Sequence, residues 1–122
     1  MSTLTLKLGD EVKGVFSLDV GTTLSVGRRS GNDIVLEHLT VSGNHAKVDA
    51  MDEGFLLTDL RSKNGTFVNT NQVDNAVWLN NGDVISIGTF KLIFSISEDD
   101  AFSIEDEALT ETVVLSMDDL MK

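Results

Sequence analysis

The chain has 122 residues, 41% of them hydrophobic, and a formal net charge of −11, which suits one domain of ordinary size and not two. It contains no cysteine, so a disulfide framework and a thiolate metal site are excluded. The start, MSTLTLKLGD, lacks the basic flank and apolar stretch of a secretory signal, and no apolar run approaches the ~18 residues of a membrane span, so the expectation is a cytoplasmic protein with no membrane partner.

From the N-terminus, TLTLKL (3–8) alternates polar and apolar residues with the period of two that marks a half-buried strand, and GD at 9–10 turns the chain. VFSLDV (15–20) and TLSVG (23–27) repeat the pattern. Two adjacent arginines, Arg28 and Arg29, then precede the turn signal SGND (30–33), and in so acidic a chain such a pair calls for an anion. HAKVDAM (45–51) and GFLLTDL (54–60) are separated by DEG at 52–54. TFVN (66–69) follows NG at 64–65, and DVISIG (83–88) and FKLIFSI (90–96) follow NNGD at 80–83. Short strands at this spacing, with no convincing amphipathic helix before residue 97 and no internal repeat, predict an all-β fold, an antiparallel β-sandwich over residues 1–96.

The grain changes at residue 97. Residues 1–96 hold eight Lys/Arg against eleven Asp/Glu, giving −3, whereas residues 97–122 hold Lys122 against nine acids, giving −8. A body so nearly balanced has no basic stripe to track a nucleic-acid backbone, so no nucleic-acid partner is expected and an anion site must be small and local. The tail breaks its charge with Phe102, Ile104, Leu109, TVVL (112–115) and MDDLM (117–121). Two readings stand: an acidic extension with a short helix packed on the sandwich, or a docking segment.

Enzyme motifs do not fit. GTTLSVGRR is no phosphate loop of the Walker type, because five residues rather than four separate Gly21 from Gly27, and Arg28 stands where lysine is required. Ser42 lacks the GxSxG elbow of a hydrolase nucleophile, and Ser42 and His45 are expected to hold a loop, His45 as a hydrogen-bonded structural histidine. Two histidines seven residues apart make no zinc site, so neither a metal nor a cofactor is expected.

Four pieces of the remaining loop sequence occur in order: VGR (26–28) with NDIVL (32–36), TVSGNHA (40–46), LRSKNGTFVN (60–69) and LNNGDVISIG (79–88). Together they resemble the forkhead-associated (FHA) domain family over roughly residues 4–96, the second matching its SxxH, the third its SxNGTxxN and the fourth its LxxGDxIxIG. The resemblance implies a sandwich of about eleven short strands and the recognition of phosphothreonine in partner proteins downstream of a Ser/Thr kinase. It implies that Arg28 supplies a guanidinium to the phosphate, Ser42 a hydroxyl, and Gly43 and Lys63 further donors, while Asn64 clamps the ligand main chain. Arginine suits that role because its planar fork can donate two parallel bonds and never deprotonates.

Gly27, His45, Gly65 and Asn69 are expected to shape or brace the loops. Arg29 stays open between a solvated cation and a ligand contact. Gly43 departs from the arginine or other polar residue that many family members carry there. Some bacterial relatives bind a phosphorylated threonine segment of their own chain. Thr112, and secondarily Thr110, each with an aliphatic residue three places on, make the tail a candidate ligand for its own domain, within one chain or between chains. The competing reading is a phosphate-independent interaction or scaffold domain that uses a face or edge of the sandwich.

Overall fold

The structure, a computed structural model, describes residues 2–97. Chain 98–122, including Thr110 and Thr112, lies outside the described residues. Eleven strands form two sheets: β1 (Ser2–Leu8), β2 (Glu11–Ser17), β3 (Thr23–Gly27), β4 (Ile34–Val35), β5 (Ala46–Met51), β6 (Gly54–Asp59), β7 (Phe67–Val68), β8 (Asn71–Gln72), β9 (Ala76–Trp78), β10 (Val84–Ile87) and β11 (Phe90–Ile96). One sheet runs β2-β1-β11-β10-β7-β8 and the other β4-β3-β5-β6-β9.

Alternation in the sequence becomes sidedness in the sheets. Leu4 and Leu6 of β1, Leu92 and Phe94 of β11, and Ile85 and Ile87 of β10 point inward from the first sheet, against Val26, Val48 and Leu57 of the second. Phe55 and Phe94 join the layers, with ring centroids 4.8 Å apart. Among the described residues no helix is long and apolar enough to cross a membrane.

The sandwich is antiparallel with one exception: β4 lies parallel to β3 at the sheet edge, Val26 opposite Ile34. The second strand also differs from its expected span of 15–20. It runs over residues 11–17, because pairing with β1 continues back to Glu11 through an irregularity between Leu6 and Lys7. Leu18 leaves the ladder but stays buried, its amide donating to the Ser2 carbonyl at 2.8 Å. The strand expected over 66–69 shrinks to Phe67–Val68. Thr66 turns its hydroxyl to Asp59, and Asn69 takes φ 49°, which ends the extended run. For the site, the consequence is that the loops 28–33, 36–45 and 60–66 leave one sheet close together, hung on β3, β5 and β6.

Candidate functional site

Backbone pairing between β3 and β5 continues past the strands and fixes the arginine loop. The amide of Arg28 donates to the Ser42 carbonyl at 3.0 Å and that of Arg29 to the Gly43 carbonyl at 3.2 Å. Gly27 makes this approach possible: a Cβ there would lie 2.2 Å from the Gly43 carbonyl oxygen. The Asn32 side-chain amide staples the same crossing, donating to the carbonyls of Arg29 at 3.0 Å and Gly43 at 2.8 Å. Asn32 received no role from its sequence context, although it sits within the SGND turn signal, where asparagine commonly bonds nearby backbone.

His45 lies beneath the loops, fully buried. Its Nδ1 accepts from the Ser42 amide at 3.0 Å, so the proton of the neutral ring is on Nε2, which donates to the Gly65 carbonyl at 2.9 Å. One ring thereby ties the loop carrying Ser42 to the loop carrying Asn64. Gly65 takes φ 91°, a left-handed conformation that favours glycine, and a Cβ there would also sit 2.9 Å from the Gln72 amide nitrogen.

The third loop is folded around Asp59. Its carboxylate accepts from the Ser62 amide at 3.1 Å, from the Ser62 hydroxyl, and from the Thr66 hydroxyl at 2.7 Å. Burial pushes the Asp59 pKa up, but the hydrogen bonds from Ser62 and Thr66 outweigh it and hold the carboxyl below its ordinary value. Asp59 received no role from the sequence either, and Ser62 appeared there only as the first residue of the SxNGTxxN match. Their spacing of three is that of a side chain closing a turn on the following backbone, which is the signal that points to them.

These supports bring Arg28, Ser42, Gly43, Lys63 and Asn64 to one cleft of about 260 Å³, completed by Leu39–Val41 and lined by no carboxylate. Ser42 Oγ accepts from the Lys63 amide at 2.9 Å, so its own proton is left to donate outward into the cleft. Asn64 donates one N–H to the Thr40 carbonyl at 2.9 Å and keeps its oxygen and a second N–H for a ligand. Arg28 and Lys63 are exposed, and neither side chain has a hydrogen-bond or ion-pair partner among the described residues. Two cations, a hydroxyl donor and an amide thus surround one small cavity, a set of groups that can hold an anion.

Asn69 stands apart from it. Its amide donates to Asp83 at 2.8 Å and its oxygen accepts from the Val84 amide at 3.0 Å, bracing the turn before β10. It borders a separate cleft of about 330 Å³ beside Trp78. No group of three or more potential metal ligands occurs among the described residues.

Comparison with known proteins gives a consistent picture. A family model described as FHA domain matches residues 24–88. The chain is 44% identical over 91 residues to the glycogen accumulation regulator GarA of Mycolicibacterium smegmatis, a match covering 75% of this chain and 56% of that relative. It thus spans little more than half the relative's length. Among solved structures, the FHA domain of the CT664 protein from Chlamydia trachomatis superposes with a TM-score of 0.74 at 31% identity, covering 79% of this chain and 97% of that one. A structure solved in a study of phosphothreonine-dependent FHA domain interactions gives a TM-score of 0.68 at 32% identity, over 78% of this chain and 97% of the other.

Proposed function

This chain belongs to the forkhead-associated (FHA) domain family, and we propose that it binds phosphothreonine in a partner protein through the cleft between Arg28, Ser42 and Asn64. The observation that carries this reading is the set of donors around one cavity that have no partner among the described residues: the Arg28 guanidinium, the Lys63 ammonium and the outward Ser42 hydroxyl. A phosphothreonine brings about −1.5 to −2 charges and three acceptor oxygens at pH 7, the complement of that set. Each charged hydrogen bond is worth roughly 1.5–3 kcal/mol, so two or three of them separate a phosphorylated from an unmodified peptide by several orders of magnitude. Nothing in the cleft activates a nucleophile or a water, and the site works by binding. The related structure of phosphothreonine-dependent FHA interactions supports the same assignment.

On this reading the partners are a phosphothreonine-bearing protein, the Ser/Thr kinase that modifies it, and the chain's own tail once phosphorylated. Thr112 lies 16 residues beyond Ile96, a tether of about 50 Å at roughly 3.3 Å per extended residue, sufficient for the tail to fold back on its own domain. Such tethering raises the effective concentration to about the millimolar range. Docking within the chain closes the cleft to other ligands, and docking between chains raises the molecular mass.

Calorimetric titration with a phosphothreonine peptide tests the assignment. Arg28→Ala should weaken binding more than about a hundredfold with melting little changed, and Ser42→Ala should weaken it less. An Arg28→Ala protein that binds as tightly as wild type contradicts the site assignment.

A further inference from the structure

Arg29 is the one cation of the arginine loop that the cleft chemistry above does not use. Its backbone is pinned three times, by its amide on the Gly43 carbonyl and by both the backbone amide and the side-chain amide of Asn32 on its own carbonyl. Its side chain then runs along Gly43. A Cβ built on Gly43 would lie 2.8 Å from Arg29 Nε and 3.3 Å from both Cδ and Cγ, so Arg29 occupies the space that a side chain at position 43 would take. Gly43 lines the cleft next to Ser42, and Arg29 therefore sets its guanidinium against the rim of the site from the neighbouring loop.

That guanidinium has no ion-pair or hydrogen-bond partner among the described residues, although residues 1–96 carry eleven carboxylates. With Arg28 and Lys63 it makes three cations without a partner among the described residues, around a cavity that no described carboxylate lines. One phosphate is matched by Arg28 and its neighbouring donors. The third cation, held at the rim rather than in the lining, is placed for a second negative charge beside the phosphate.

We infer that Arg29 is a specificity-determining residue that pairs with a carboxylate flanking the phosphothreonine, so that the ligand class is an acidic phosphothreonine segment. The inference rests on the phosphothreonine reading of the cleft. The bare Cα of Gly43 is what lets Arg29 lie there: a side chain at 43 would claim the same volume. The chain's own segment DEALTETVVLSM (106–117) has the required composition, with Glu111 directly before Thr112 and Asp106 and Glu107 upstream.

The test uses the full-length chain and two synthetic peptides. One is residues 106–117 phosphorylated on Thr112. The other is the same phosphopeptide with Asp106, Glu107 and Glu111 replaced by Asn, Gln and Gln. Wild type should bind the acidic peptide about three- to five-fold tighter, the scale of one exposed ion pair, and the ratio should shrink as salt is raised. In Arg29→Ala the ratio should fall to about one. Arg29→Gln, which keeps the aliphatic stem over Gly43, should do the same, which separates charge from packing. Gly43→Arg in the Arg29→Ala background should restore the preference from the other side of the shared space. A ratio that stays at its wild-type value in both Arg29 variants overturns the inference while leaving the phosphothreonine reading intact. Failure of wild type to bind either phosphopeptide overturns the phosphothreonine reading, and the Arg29 inference with it.

Discussion

Replacing His45 by alanine tests whether the two ligand loops are held by a single buried ring. The ring is fully buried and pairs with one backbone donor, the Ser42 amide, and one backbone acceptor, the Gly65 carbonyl. Its removal leaves both without partners, at about 1–3 kcal/mol each, and adds the penalty of an unfilled cavity. The sum, about 3–6 kcal/mol, is a large part of the 5–15 kcal/mol typical of a domain. At about 4–8 °C per kcal/mol for a domain of this size, melting followed by circular dichroism should fall by more than about 10 °C. Phosphopeptide affinity, measured well below the new melting temperature, should fall too, because Ser42 and Asn64 lose their common support. His45→Gln, with a donor and an acceptor on one amide, should recover part of both. A His45→Ala protein that melts within a few degrees of wild type and binds equally would refute the reasoning.

Gly27→Ala should cost about 1–3 kcal/mol and weaken phosphopeptide binding, since its Cβ meets the Gly43 backbone, while Gly31→Ala in the same loop, with open space around it, should be nearly silent in thermal melting. The Asp59 carboxyl has a pKa held below its ordinary 3.8, so its contribution to stability is fully present above that value and is lost as the pH falls through the lower, folded value. Melting measured across that acid window should decline for wild type and depend less on pH for Asp59→Asn, which starts from lower stability at neutral pH; parallel curves would contradict it. Phosphothreonine should be preferred to phosphoserine about fourfold, the worth of one buried methyl at about 0.8 kcal/mol, and equal affinities in a competition titration would argue against a recess for that methyl.

The long strands were legible because each buries one face: Leu4 and Leu6, or Leu92 and Phe94, announce themselves by alternation. The strands at Ile34–Val35, Asn71–Gln72 and Ala76–Trp78 span two or three residues, too few for a period to register, and exist because neighbouring strands offer them an edge. The span of β2 was misread for a related reason. Its exposed Val12 and Val15 lie on an edge strand whose limits follow pairing with β1 rather than hydrophobicity.

In the site, no spacing rule brings Arg28, Ser42 and Lys63 together. That follows from the register of β3 on β5 and from the Asp59-closed turn, and only resemblance of the loop motifs pointed to it beforehand. The bond from Asn32 to Gly43 and the seat of Arg29 on Gly43 were beyond reach, because each depends on backbone arriving from a segment 11 or more residues away. That Gly43 departs from the family pattern was visible in the sequence. What fills the space was not.

The most direct measurement is a paired calorimetric titration of the full-length chain with one threonine peptide, phosphorylated and unphosphorylated, under identical salt. The phosphorylated form should bind at least about a hundredfold tighter, as two or more charged hydrogen bonds from the Arg28 cleft require. Equal affinity of the two forms would contradict the claim that this cleft reads phosphate.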